Sequence, residues 1–326
     1  MSLASRQVVE MLRAAGEPTR FRILALLARE ELAVAELTRV LDQSQPRVSR
    51  HLKLLIAAGL VERFPDGAWV FYRLATHGAQ RAFIDEMLAL IDEADGGDAG
   101  IARDAACLEA VRAERSKAAA DYFAQNAARW DHLRSLYVSE ADVEAAILAA
   151  VGPGPFHRLI DLGTGAGRML SLLGPLAQSA LGLDLSQQML NIARRATADA
   201  GLGHCELRHG DVFATQLPTG CADLVVVHQV LHYLADPAAA VAEAARLVAP
   251  GGRLVIVDFA PHGLEFLREA HQHRRLGLAD AEMDRWLTTA GLGAVEPVSL
   301  PPVGDAGLTV KIWTAPRQTA GQRSAA

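Results

Sequence analysis

The side chains best suited to chemistry in this 326-residue chain gather in two places, and the more explicit is His157–Arg168, HRLIDLGTGAGR. An apolar run takes in Asp161 and is followed by glycines at alternate positions, Gly163, Gly165 and Gly167. Glycine lets the backbone turn tightly and approach a ligand more closely than a Cβ allows, and a helix beginning at Arg168 aims its free N–H groups at the same place. A nicotinamide fingerprint, GxGxxG, needs its third glycine at position 168, where arginine stands. Asp184 closes the next apolar run, ALGLD. A carboxylate there can accept both hydroxyls of a ribose; the alternative is a cap for the helix that starts beyond Leu185-Ser186. Proton-handling groups follow further on: His228, His232 and Tyr233 after DLVVVH, and His271 and His273 in EAHQHRRL.

The second place is Ser44–Gly59. Asp42 and Ser44 offer cap oxygens, Gln45–Ala58 has helical spacing, and Gly59 is a fitting stop. On that helix Val48, Leu52, Leu55 and Ile56 make an apolar stripe, while Arg47, Arg50 and Lys53 project away from it. A stripe that docks and a basic face left free suit the phosphates and base edges of duplex DNA.

The elements needed to hold these two sets differ. For the basic helix, Glu17-Pro18 opens an earlier helix, Val34–Leu41 supplies a short one, and GLVERFPDGAWVFYRL gives two strands joined at Pro65-Asp66-Gly67. Together they predict a winged helix-turn-helix, with the second helix in the major groove and the hairpin on the backbone. Ser44, Gln45, Arg47, Ser49, Arg50, Lys53 and Arg63 are its expected DNA contacts. For the glycine turn, strands at 180–184, 206–210, 223–228 and 253–258 alternate with amphipathic helices, which predicts a doubly wound parallel sheet that binds ligands at its carboxyl ends. Between the two, DGGDAG at Asp95–Gly100 reads as a linker, followed by helical sequence to Val151. The expected organisation is therefore 1–94 for DNA binding and dimerisation, 95–151 for linker and helical cap, 152–316 for the sheet, and 317–326 for a tail.

Composition narrows the function classes. Residues 1–92 carry 12 basic and 11 acidic side chains and the remaining 234 carry 20 and 27, so a net charge of −6 hides a near-neutral head. Cys107, Cys205 and Cys221 form no CxxC pair, which argues against disulfides, structural zinc and dithiol redox chemistry. No apolar run reaches the roughly 18 residues of a membrane span and no export signal opens the chain, so the cytoplasm is expected.

The run SQPRVSRHLKLLIAAGLVERFPDGAWVFYRL closely resembles the DNA-binding core of ArsR-type winged-helix repressors, and the likeness covers most of residues 8–92. It implies a homodimer that reads a palindromic operator. That family's thiolate metal sensors carry paired cysteines in the helix before the recognition helix; here ELAVAEL places Ala33 and Ala35 there, and no metal is expected. Asp161, Gly163, Gly165 and Gly167 with Asp184 resemble the cofactor motif of class I S-adenosylmethionine (SAM) methyltransferases, so the fold class is α/β overall: winged helix-turn-helix, helical connector and Rossmann-like methyltransferase sheet. That likeness implies Asp211 at the adenine edge with Val212 against the ring, His228 beside the cofactor, Tyr122, Trp130 and Arg134 as lid residues, and an antiparallel closing pair in GLGAVEPVSL and GLTVKIWTA. The fusion resembles regulators responsive to S-adenosylhomocysteine (SAH), which implies SAM or SAH as effector. The alternative is an active methyltransferase on a small molecule, with an autoregulatory head and His228, His232 or Tyr233 handling a proton.

Overall fold

The computed structural model describes residues 5–66, 69–76, 78–92, 99–126, 140–293, 296–302 and 307–318. The chain divides into two compact units, Met1–Lys117 and Ala118–Ala326.

In the first unit α1 (Ser5–Ala15) precedes α2 (Pro18–Leu27), whose N-cap is Glu17; the Glu17 carboxylate accepts from the N–H of Arg20 at 3.0 Å. β1 (Leu32–Ala33), α3 (Val34–Leu41) and α4 (Gln45–Ala57) follow, then β2 (Val61–Asp66) and β3 (Trp69–Leu74). Ser44 does stand at the N-cap of α4, yet its hydroxyl makes no capping bond. The reason is local: Pro46 removes the N2 donor, and the N3 donor, Arg47 N–H, is taken by the Ser44 carbonyl at 3.0 Å. Asp42 serves instead as the left-handed residue that ends α3, with φ 54°.

The wing pairs two residues further along β2 than its sequence suggests. Pro65 lies opposite Val70 and Asp66 opposite Trp69, so the connection is shorter than Pro65-Asp66-Gly67; Gly67 itself lies outside the described residues. β1 adds a third strand on β3, in the order β1-β3-β2. Val48, Leu52 and Leu55 are buried on the inner side of α4, as the stripe requires, with Ile56 half-buried beside them.

α5 (Gly78–Asp92) and α6 (Ala99–Asn126) complete the first unit, and α6 runs on past its end. Ion pairs fasten the early part of α6 to the helices of the head. Arg22 on α2 grips both oxygens of Asp104, at 2.5 and 2.6 Å, and Arg112 reaches Glu30 at 3.2 Å. Asp104 and Glu30 are buried, so each carboxylate depends on its guanidinium. The exposed pair Arg39–Glu114, at 2.6 Å, is a different case.

In the second unit α7 (Glu140–Val151) leads into a seven-stranded sheet of order β6-β5-β4-β7-β8-β10-β9. Its strands are β4 (Phe156–Leu162), β5 (Ala177–Asp184), β6 (Cys205–His209), β7 (Ala222–His228), β8 (Val248–Phe259), β9 (Val298–Leu300) and β10 (Val310–Pro316). The helices are α8 (Arg168–Leu173), α9 (Gln187–Asp199), α10 (Pro237–Leu247), α11 (Phe266–His271) and α12 (Asp280–Thr289). β4, β5, β6, β7 and β8 are parallel, and the β10 and β9 pair closes the edge antiparallel, as expected. Alternation on β7 sends Val225 and Val227 to a core with α10 and α12, and Leu224 and Val226 to a core with α7 and α8. Both faces are thus covered, which is why these strands read as continuous apolar runs. The Pro250-Gly251-Gly252 turn survives as an irregularity inside β8, where Ala222 pairs with Val248 but Leu224 pairs with Arg253. Arg317, at the start of the expected tail, is anchored: its N–H donates to Gly252 O and its guanidinium to Val248 O, at 2.9 and 2.8 Å.

Replacing Asp104 with alanine removes the bidentate carboxylate that Arg22 grips, and urea unfolding is expected to show a loss of about 3 kcal/mol. The same measurement on Glu114→Ala should stay within error of the parent. Equal losses in the two variants would contradict the assignment of Arg22–Asp104 as the clamp.

Candidate functional site

The sheet order reverses at β4, with β5 and β6 on one side and β7 and β8 on the other. A crevice opens at the carboxyl ends of strands where this happens, and it is the ligand position of doubly wound sheets. The turn after β4 fits that position. Gly163 and Thr164 both donate their N–H to Leu183 O, at 2.8 and 2.9 Å, so the turn is pinned to β5. A Cβ on Gly163 would meet Val230 Cγ2 at 2.4 Å, and its φ is +73°, so no other residue fits. Gly165 differs: φ is +53°, but a Cβ there meets nothing within 4 Å. One glycine is needed for packing and the other faces open space, which is the arrangement of a cradle. Gly167, with φ +84°, leads into α8.

Asp184, at the end of β5, is oriented by two backbone donors: Gly165 N–H to Oδ2 at 2.8 Å and Ser186 N–H to Oδ1 at 2.7 Å. Burial raises its pKa, against the pull of those two donors. The two readings of Asp184 are separated by this geometry. Ser186 caps α9 through its own hydroxyl, which accepts from Met189 N–H at 3.3 Å, so Asp184 is not the capping residue. Each of its oxygens keeps a lone pair for a hydroxyl donor.

Asp161 is buried in the sheet. Thr164 donates its hydroxyl to Oδ2 at 2.6 Å, while Oδ1 has no hydrogen-bond partner among the described residues. Burial pushes this carboxyl up to about 7, with the Thr164 bond opposing and the charge of Asp184 adding. An orphaned oxygen beside the glycine turn suits a cationic or N–H-bearing ligand. Asp211 follows β6; its Oδ1 accepts from Phe213 N–H at 2.9 Å, and Val212 is buried behind it. His228 is half-buried at the end of β7, paired in register with Val257. The turn thus brings together Asp161, Gly163, Gly165, Gly167 and Asp184. Trp130 and Arg134 lie outside the described residues, as does the side chain of Tyr122.

Of the expected proton handlers, His232, Tyr233 and His273 cluster and His271 stands apart. His232 is buried 1% exposed on the turn Leu231–Tyr233, its Nδ1 2.6 Å from Oδ1 of Asp258, which is itself 0% exposed at the end of β8. Tyr233, His273 and Phe259 surround the imidazole. His271 lies instead against Phe266. Sequence reading missed Asp258, although the signal was present: LVIVDF takes an acid into its apolar run as LIDL does, and as ALGLD does at its end. It also missed Thr164 as the partner of Asp161.

On the head, Ser44, Gln45, Arg47, Arg50 and Lys53 are exposed along α4, Ser49 is half-buried, and Arg63 is exposed on β2. His51 points inward, 3.4 Å from Glu17, and burial lowers its pKa. Among the described residues no three His, Cys, Asp or Glu side chains could hold a metal, and no helix is long and apolar enough to cross a membrane.

Residues 17–63 match the family described as bacterial regulatory protein, arsR family, and residues 160–256 match a methyltransferase domain. The chain joins an ArsR-family helix-turn-helix domain to a methyltransferase domain. An HTH-type transcriptional regulator of Methanocaldococcus jannaschii is 34% identical over 88 residues, 27% of this chain and 93% of that protein. The arsenic resistance transcriptional regulator of Pseudomonas putida is 43% identical over 81 residues, 24% of this chain and 62% of the regulator. On the methyltransferase side, the demethylmenaquinone methyltransferase of Thermus thermophilus is 35% identical over 144 residues, 43% of this chain and 64% of the enzyme. The chain thus spans less than two-thirds of the length of these last two relatives. A solved complex of a methyltransferase activator with a methyltransferase from Haloferax volcanii shares the fold, with TM-score 0.51 and 21% identity over 60% of this chain and 97% of that one.

The buried carboxyl of Asp161 gives the methyltransferase domain a pH signature. A folded pKa raised from 3.8 to about 7 means that its contribution is present at low pH and is lost as pH rises through that interval. Without ligand, Asp161→Asn is therefore expected to match the parent near pH 4 and to exceed it by up to about 4 kcal/mol near pH 7, by urea unfolding. A stability difference that does not change with pH would contradict this.

Proposed function

We propose that the chain is a DNA-binding transcriptional regulator, of repressor type, whose methyltransferase domain binds SAM or SAH as an effector. The observation that carries this reading is the Asp184 carboxylate, aimed by Gly165 and Ser186 N–H groups across an open glycine turn. A ribose diol fits it, and the orphaned Asp161 oxygen beside it fits the charged end of such a nucleoside. The head works as a homodimer on a palindromic operator, each α4 in a major groove with Arg47, Arg50 and Lys53 toward the DNA and Arg63 on the flanking backbone. Operator and nucleoside meet in the cytoplasm.

SAM carries a cationic sulfonium with a methyl and SAH a neutral thioether, so a pocket that holds the sulfur closely can distinguish them by charge and size. The effector shifts operator affinity only as far as it binds the free and DNA-bound forms unequally. A tenfold shift corresponds to about 1.4 kcal/mol of coupling. A second reading, methyl transfer to a small molecule with an autoregulatory head, is favoured by one observation, the buried His232–Asp258 pair.

Fluorescence anisotropy of the full chain on its own promoter DNA, at fixed salt, tests the first reading. SAM or SAH should change the dissociation constant at least tenfold. Arg50→Ala should weaken binding in both conditions and reduce the salt slope by about 1. No effect of either nucleoside on operator binding removes the effector role.

A further inference from the structure

His51 is the side chain of α4 whose charge can change near neutral pH. It follows Arg50 directly and stands one turn after Arg47, on the helix whose exposed cations face outward, yet its own ring turns inward to the N-terminus of α2. There Nδ1 is buried, makes no hydrogen bond among the described residues, and lies 3.4 Å from Oε2 of Glu17. A buried nitrogen without a partner costs free energy. A proton on the ring would supply the donor that the facing carboxylate can accept.

The charges around the ring decide when that proton is held. Burial works to raise the pKa of Glu17, but the backbone N–H groups of Arg20 and Thr19 keep it below the usual carboxylate range, so it is ionised near neutral pH. Arg20 leaves this carboxylate available: its guanidinium bonds the carbonyls of Ala14 and Arg13 and stands 3.9 Å from Glu17. For His51 itself, burial lowers the pKa from 6.5, and Arg20 on α2 with Arg47 and Arg50 on α4 press the same way against the pull of Glu17. The ring is therefore neutral near pH 7. Two of the three cations that help to keep it so, Arg47 and Arg50, are exposed on the face of α4 assigned to DNA.

We infer that the head binds duplex DNA and a proton together: phosphates laid against Arg47 and Arg50 relieve the repulsion that keeps His51 neutral, and the proton it then takes up closes its ring onto Glu17. The inference rests on the DNA-binding reading above and deepens it. The proton comes from solvent, both ring nitrogens then carry hydrogen, and Nδ1–H donates to Glu17 Oε2. Because the DNA anion raises the pKa of His51, the complex holds more protons than the free head, and linkage gives the sign. Affinity for DNA rises as pH falls from the bound-state pKa toward the free-state value, which lies below 6.5, and the dependence ends once both forms are protonated. His51 is thus a positioning residue that ties α4 to α2 when DNA is bound, without touching the duplex.

The test uses the full chain as parent, His51→Gln and Glu17→Gln, each checked for thermal stability. Fluorescence anisotropy on duplex DNA from the chain's own promoter, at fixed salt, should show the parent's dissociation constant falling at least about threefold between about pH 7.5 and about pH 5.5. His51→Gln should bind within about twofold of the parent near pH 7.5 and lose most of that pH dependence. Glu17→Gln should flatten it as well, because the proton then lacks its partner. Two measurements on the parent need no substitution. Calorimetry of DNA binding near pH ~6.5 in phosphate and in bis-Tris should give different heats, since the buffer supplies the proton, and NMR should show His51 titrating at higher pH in the complex than in the free chain. Equal heats in the two buffers, an unshifted His51 titration, or a pH dependence in His51→Gln as steep as the parent's overturns the inference. A parent that binds no DNA at any pH overturns it through the DNA-binding reading, which the anisotropy reports separately.

Discussion

The hydrogen bond from Gly165 N–H to Asp184 holds the methyltransferase domain's ligand end in register, because it ties the turn after one strand to the acid that ends the next. It exists only because the turn can fold back on β5, and that requires Gly163 at a positive φ with no Cβ against Val230. From this contact the rest follows. Val230 is held on the glycine turn, the loop after β7 is fixed by it, and His232 is delivered to Asp258 at the end of the adjoining strand. One packing constraint therefore places both the glycine turn with Asp184 and the only buried histidine–aspartate pair among the described residues.

The two units divide their electrostatics differently. In the head, charge is left at the surface of α4 while the buried acids of α6 and its neighbours are matched by arginines. Surface cations suit a polyanion, whose counterions they displace. In the methyltransferase domain the acids sit at the ends of buried strands, where burial raises the pKa of both Asp161 and Asp184 and a ligand that donates hydrogen bonds or brings positive charge is favoured. α6 begins among the head's ion pairs and runs beyond Lys117, while 95–98 of the expected linker lie outside the described residues.

Much of this was legible in the sequence, and the parts that were share a cause. Strands buried on both faces announce themselves as apolar runs, and Gly163 and Gly167 stand where a Cβ would collide, with Gly165 between them; the sheet and the turn therefore followed from pattern. The stripe Val48, Leu52 and Leu55 against Arg47, Arg50 and Lys53 likewise survives because helical period alone assigns faces. What depends on contacts between distant positions did not show. Asp258 and His232 are 26 residues apart and meet only because β7 and β8 are neighbours. The silence of Ser44 as a cap depends on Pro46 removing one donor, a local detail that outweighs residue preference. The two extra paired residues of the wing, Pro65 and Asp66, reflect Pro65 tolerating an edge position that composition marks as turn.

The account's central claim is that nucleoside and operator binding are coupled through one chain, and coupling is reciprocal. It is tested most directly by calorimetric titration of SAH, and of SAM, into the full chain alone and then saturated with operator DNA. The account predicts that DNA changes the dissociation constant of at least one nucleoside tenfold or more, and that Asp184→Ala abolishes binding in both conditions. Identical constants with and without DNA, or tight binding by Asp184→Ala, would contradict it.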